Sequence, residues 1–217
     1  MPPKNAVKKY KPRSIYHVYN RGAGKQNIFK DEEDYKTLLG YFKFYLTPID
    51  LQGSSLKVAA PSRVLKNHAL KIELIAYCLM SNHFHLILYQ EEIDSINSFL
   101  RSVATKYAMY FNRKYKRTGH LFEGIYKAVL MKTEEQLLHL SKYIHRNPLE
   151  ILPTGMILEG YKYSSYGNYL KQFTQTWVKS EKVMSVFNRV DHEYSSYKEF
   201  VEKNEEIIKF KEVLLDY

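Results

Sequence analysis

The sequence predicts an α+β fold: a ferredoxin-like, split βαβ core in which an antiparallel sheet is flanked by helices, followed by a mostly helical C-terminal extension. Three observations lead there. Between residues 14 and 150 the apolar pattern switches between strand and helix periods in the order βαββαβα. Two of the strand-like runs are separated only by Ser81 and Asn82, which predicts a hairpin and therefore antiparallel pairing. Hydrophobic residues make up 45% of the 217 positions, enough for a packed core and too many for wholesale disorder.

In chain order, residues 1–13 are basic and carry two adjacent prolines, and they read as an arm. Ile15 to Asn20 reads as a strand ended by Arg21-Gly22-Ala23-Gly24. Asp31 to Leu46 reads as a helix with an acidic first turn that suits the macrodipole, and with Tyr35, Leu38, Leu39, Phe42 and Leu46 as its apolar stripe. Thr47 to Leu70 lacks a period and reads as a long loop, with a short helix around Ser62 to His68 as an option. Ile72 to Met80 and His83 to Gln90 are the hairpin strands. Ser95 to Asn112 is the clearest helix, with Ile96, Phe99, Leu100, Val103, Tyr107 and Tyr110 at helical spacing. His120 to Met131 is expected to be the fourth strand. Thr133 and Gln136 form a T-x-x-Q capping box for a helix that ends at Pro148. The expected division is thus an arm (1–13), a catalytic core (14–150) and a Tyr-rich, then helical, extension (151–217).

The formal charge is +10 and the sequence pI about 9.4, a balance that favours a polyanionic partner. There are 20 tyrosines; beside Lys and Arg, tyrosine rings stack on bases while the cations track phosphates, although most are expected to be half-buried core residues. The single cysteine, Cys78, excludes an intramolecular disulfide and fits a reducing cytoplasm. The N-terminus has no apolar h-region, and no stretch approaches a membrane span.

Two elements carry chemistry. On a strand, His83 and His85 project from one face, where two imidazoles can share a metal ion; an H-x-H also arises by chance as two partly exposed histidines. In Tyr143-Ile144-His145-Arg146-Asn147, Tyr143 and Asn147 lie one turn apart on one helix face, with Leu137, Leu140 and Ile144 as the buried stripe. Asn147 falls within that stripe, where an amide needs a partner that a metal would supply; as the residue before Pro148, its position by itself favours a helix C-cap. His17 is a spare imidazole. Arg21, Arg101, Lys106, Arg113, Lys114, Lys116, Arg117 and Lys127 are candidate DNA contacts, although cations at a helix end also suit the dipole. Other chemistries fall away. Gly24-Lys25 is no phosphate loop, because Tyr19 stands at the upstream glycine position and Gln26 replaces Ser/Thr. No G-x-S-x-G or H-E-x-x-H is present.

His83-Phe84-His85 after a strand, Gly124-Ile125-Tyr126-Lys127-Ala128, and Tyr143 to Pro148 together resemble the Y1 transposases of the insertion-sequence 200/605 type. The Asn-Pro ending, Tyr161 to Tyr166 and the opening Tyr16-His17-Val18-Tyr19-Asn20-Arg21-Gly22 resemble especially the REP-associated tyrosine transposase branch. The resemblance covers roughly 14–169 and implies an HUH endonuclease fold. It further implies that His83 and His85 bind the metal, that Tyr143 attacks DNA and that Asn147 supplies a third polar ligand. Ile125 departs from it, since many relatives carry arginine there.

The expected activity is metal-dependent cleavage and joining of single-stranded or hairpin DNA through a 5′-phosphotyrosine. An imidazole pair plus an amide oxygen suits Mg²⁺ or Mn²⁺. The phosphoester is conserved in the covalent step, so rejoining needs no nucleotide cofactor. A non-cleaving DNA-hairpin-binding protein on the same fold and a metal-dependent RNA nuclease are the rival readings. Monomer and homodimer are both compatible with the order of elements.

Overall fold

The computed structural model describes residues 10–49, 67–153 and 156–203. Most of the expected arm, the aperiodic stretch at 50–66 with its optional helix, and the last residues of the extension lie outside them. The elements are β1 (Ser14–Arg21), α1 (Glu32–Leu46), β2 (Ile72–Leu79), β3 (His83–Gln90), α2 (Ser95–Lys114), β4 (Lys127–Leu130), α3 (Glu134–Arg146), α4 (Tyr166–Tyr169), α5 (Glu181–Arg189) and α6 (Tyr197–Glu202). The strands form a four-stranded antiparallel sheet in the order β2-β3-β1-β4. The α+β class and flanking helices expected from the sequence are what is observed.

The strand period explains the layers. In β1, Tyr16 and Val18 face one side and join Leu86 and Leu88 of β3 in a core with Phe42 of α1 and Phe99, Val103 and Tyr107 of α2. The opposite face carries Ile87, Cys78 and Met80, covered by Leu137, Leu140 and Ile144 of α3, Val183 and Phe187 of α5, and Phe200 of α6. A bulge between Leu74 and Ala76 re-phases β2. The segment beyond 150 contributes to both layers: Trp177 and Val178 join the first core, and Tyr166, Tyr169, Val183, Phe187 and Phe200 the second. Val178 bridges Leu74 and Ser164 bridges Cys78, and Tyr169 donates its hydroxyl to the Ile75 carbonyl at 2.9 Å.

Helix starts follow the capping chemistry. Asp31 accepts from the Asp34 amide in a reciprocal capping box, and Thr133 accepts from Gln136. The Gln136 side chain reaches back one residue further than a standard box, to the Lys132 N–H at 2.7 Å. The fourth strand is much shorter than the expected His120 to Met131. Gly124, inside that run, adopts left-handed backbone (φ 68°), which breaks it, and among the described residues a lone Gly22–Phe122 bridge precedes β4.

Candidate active site

The hairpin β2–β3 places the two histidines. Met80 N–H bonds to the His83 carbonyl across the Ser81-Asn82 turn, and the amides of Ile28 and Phe29 hold the Ser81 carbonyl. Gly22, at the end of β1, donates to the Asn82 carbonyl at 2.8 Å. A Cβ at Gly22 would meet the Gln26 carbonyl oxygen at 2.1 Å, so only glycine lets β1 and its exit loop close on this turn.

Antiparallel register then assembles the site. Tyr19 lies opposite His85 and Arg21 opposite His83. The His83 and His85 rings are 5.0 Å apart and nearly perpendicular. His83 is half-buried and its Nδ1 lies 2.7 Å from the Asn82 side-chain oxygen. His85 is fully buried and its Nδ1 lies 2.9 Å from Nε2 of His17, which is also fully buried. Burial, with His83 close by, holds His85 far below the usual histidine range, so its imidazole is neutral, the form a metal ligand needs.

Helix α3 delivers Tyr143 to this cluster from the same chain. Its ring stands edge-on to His85 at 5.6 Å and to His17 at 6.4 Å, and it is half-buried. Asn147 continues right-handed backbone (φ −47°, ψ −41°) into a 3-10 turn, so it is not the left-handed cap that asparagine often forms. Its side-chain nitrogen nevertheless donates to the Tyr143 carbonyl at 3.0 Å and satisfies one of the helix's terminal acceptors. Among the described residues, no group of three or more His, Cys, Asp or Glu is placed to hold a metal ion.

The other residue of the Tyr helix with chemical potential turns away. His145 is fully buried, with Nδ1 at 2.9 Å from the Tyr197 hydroxyl and Nε2 at 2.8 Å from Ser165 Oγ. Tyr197 in turn donates to Ser141, and Ser141 to the Leu138 carbonyl. Burial pushes His145 down to about 3. Arg146 donates to the carbonyls of Val201, Glu202 and Lys203 at the end of α6. Sequence reasoning missed this brace, because its partners lie 20 to 57 residues away.

The candidate DNA contacts divide. Arg21 and Lys127 adjoin the cluster: Arg21 is paired with Glu123 at 2.8 Å, and Lys127 Nζ lies 5.5 Å from the centre of the Tyr19 ring. Arg101 and Lys106 line a groove on α2 with Ser98, Ser102 and Thr105, in the layer on the other side of the sheet. Arg113 and Lys116 are exposed at the end of that helix. Lys114 is bound to Asp31, Glu33 and Asp34 at 2.7 to 3.0 Å, and Arg117 to Asn112 and Gln26. Ile125 is exposed.

Residues 62–147 match the model of the IS200-like transposase family. Among solved structures, a REP-associated tyrosine transposase bound to a REP hairpin matches with a TM-score of 0.53 at 13% identity, over 78% of this chain and 87% of that one. A proposed transposase from Deinococcus radiodurans R1 matches with a TM-score of 0.39 at 16% identity, over 64% and 95%. No curated protein matches the chain. No helix among the described residues is long and apolar enough to cross a membrane. The family model spans both His83-Phe84-His85 and Tyr143 to Asn147, and the first of these structures shares the fold, so residues 62–147 are similar in sequence to the IS200-like transposases and the chain is similar in fold to a REP-associated tyrosine transposase.

Proposed function

We propose that this chain nicks and rejoins single-stranded or hairpin DNA with Tyr143 as nucleophile. The observation that carries the reading is the edge contact of Tyr143 with His85, 5.6 Å between ring centres, within one chain. A site complete in one chain can work as a monomer.

His83 and His85 are the residues that would hold a divalent cation, Mg²⁺ or Mn²⁺, with the Asn147 amide oxygen as the third ligand. When bound, the cation supplies charge neutralisation at the scissile phosphate. Tyr143 Oη then bonds to phosphorus while the bond to the departing 3′ oxygen breaks, leaving a 5′-phosphotyrosine and a 3′-hydroxyl. A phenol with an ordinary pKa of roughly 10 must lose its proton as it attacks. Arg21 and Lys127, beside the cluster, are the cations best placed for the phosphates on either side of the scissile one. The REP hairpin held by the similar transposase supports hairpin DNA as the substrate class.

A second reading, a hairpin-binding protein that does not cut, is favoured by one observation: the Asn147 side-chain nitrogen is bonded to the Tyr143 carbonyl of its own helix, as a cap would be. One experiment separates the two. The protein is incubated with Mn²⁺ and 5′-labelled and 3′-labelled single strands from its flanking genomic DNA, then run on a denaturing gel. A DNA–protein adduct on the 3′-labelled strand, absent in Tyr143→Phe, supports cutting. Retarded but intact DNA supports the binding module.

A further inference from the structure

The two histidines of the site share a feature that the H-x-H spacing does not contain: each is held through its Nδ1. For His83 the chemistry assigns the proton. Its partner is the side-chain oxygen of Asn82, which can only accept, so His83 Nδ1 carries the hydrogen. The Asn82 amide is oriented by its other end, since Nδ2 donates to the Lys25 carbonyl at 3.3 Å. For His85 the partner is His17 Nε2 at 2.9 Å, with the two rings only 24° from coplanar and both fully buried. One hydrogen lies between those two nitrogens, and whichever ring owns it determines what His85 presents with its opposite edge.

We propose that Asn82 and His17 are positioning residues that hold His83 and His85 as Nδ1–H tautomers, so that both present the lone pair of Nε2 to a shared cation. The assignment for His85 rests on the proposed metal-dependent function, because only a His85 that donates to His17 can bind a metal through Nε2. A neutral imidazole has one protonated and one bare nitrogen, and an unconstrained ring populates both tautomers. Fixing the outer nitrogen removes the wrong tautomer and the ring rotation together, which is how residues behind a metal ligand raise its affinity. The backbone supports the arrangement. Asn82 belongs to the turn that Gly22 clasps, and His17 sits two residues before Tyr19, the residue directly opposite His85.

The test reads tautomers directly. The full-length chain, uniformly ¹⁵N-labelled and freed of metal by chelation, is examined at pH 7.5 by long-range ¹H–¹⁵N correlation, with His83→Gln and His85→Gln used for assignment. Both histidines are expected to show a protonated Nδ1 and a bare Nε2. His17→Phe should convert His85 to a tautomer mixture while leaving His83 unchanged, and Asn82→Ala should do the converse. His17→Gln, which keeps an accepting oxygen, should restore the His85 signature. Mn²⁺ affinity, followed by the electron paramagnetic resonance signal of the free ion, should fall about tenfold or more in His17→Phe and in Asn82→Ala. A protonated Nε2 on either histidine of the unaltered chain overturns the proposal, as do unchanged tautomers in both variants. If the tautomers are as stated but the unaltered chain binds no Mn²⁺, the positioning assignment stands and the metal-dependent function falls. Buried His17 is the riskier substitution for folding; the spectrum of the unaltered chain and Asn82→Ala keep the test independent of it.

Discussion

Helix α3 has a histidine cluster on each of two sides, and they are built to different ends. Around His145 the polar groups are joined in a row. Ser165 and Tyr197 are hydrogen-bonded to the two ring nitrogens of His145, Tyr197 donates to Ser141 and Ser141 to the Leu138 carbonyl, a chain sealed from solvent. Around His85, His17 and Tyr19 stack while His83 and Tyr143 stand edge-on, and the cluster opens toward solvent through half-buried His83 and Tyr143, with Arg21 and Lys127 at its edge. A closed hydrogen-bond chain rigidifies and has no capacity for a ligand. A histidine pair held through Nδ1, with half-buried His83 at the mouth of the cluster, has that capacity. The comparison teaches that the residue type alone did not distinguish brace from site; the partners did.

The comparison breaks most sharply at Tyr143. Tyr143→Phe should abolish adduct formation and strand cleavage while binding of the same DNA stays within about twofold, because only the nucleophilic oxygen is lost. Adduct formation by that variant would remove Tyr143 from the role. On the other side of the helix, His145→Ala should lower stability by about 3 kcal/mol, since it opens a cavity and orphans the Tyr197 and Ser165 hydroxyls. Chemical denaturation measures this, and a loss well under 1 kcal/mol would mean the chain of donors is not a brace.

The brace also predicts a pH dependence. His145 has a folded-state pKa lowered to about 3 from the ordinary 6.5, so the unfolded chain binds more protons in between. Its contribution is present above about 6.5 and is lost as the pH falls toward 3, with a slope of up to about 1.4 kcal/mol per pH unit. His145→Gln should flatten that acid limb, as read from denaturation midpoints between pH 7 and pH 4.

Smaller effects separate the cations. Lys127→Ala should reduce the slope of log affinity against log salt by about 0.7, the value for one phosphate on a single strand. Lys114→Ala should leave that slope unchanged and lower the melting temperature instead, because its charge already serves Asp31 and Asp34. Equal slope changes in both would mean that Lys114 leaves its acids for DNA. The smallest expected change in stability is that of Asn147→Gly, about 1 kcal/mol from the lost amide bond and the glycine. Calorimetric Mn²⁺ titration then decides the residue's role. A weakened affinity makes it a ligand, and an unchanged one leaves it a cap of α3.

The local layer of the structure was readable in the chain. His83 and His85 share a face because a strand has period two, and Tyr143 and Asn147 share one because a helix has nearly four residues per turn. The capping residues Asp31 and Thr133 start α1 and α3 by chemistry confined to one turn. The basic stretch 113–117 was legible as charge but not as partner: Lys114 meets acids 80 and more residues away, contributed by α1 when the two helices pack side by side. The strand expected from His120 ends up short because Gly124 takes left-handed backbone, and Phe122, before it, makes only an isolated bridge to Gly22.

The sequence by itself determined the order and type of the elements, the face on which each candidate side chain projects and the basic character of the whole, since these follow from periods and charges carried within single segments. Tertiary structure alone decided that His17 stands behind His85, that His145 is a brace and that Tyr143 meets the histidines of its own chain. Those contacts cross 20 to 68 residues of sequence. They exist only once strand register and helix layering have set the distances, and no local pattern encodes a hydrogen bond whose two ends are brought together by the fold.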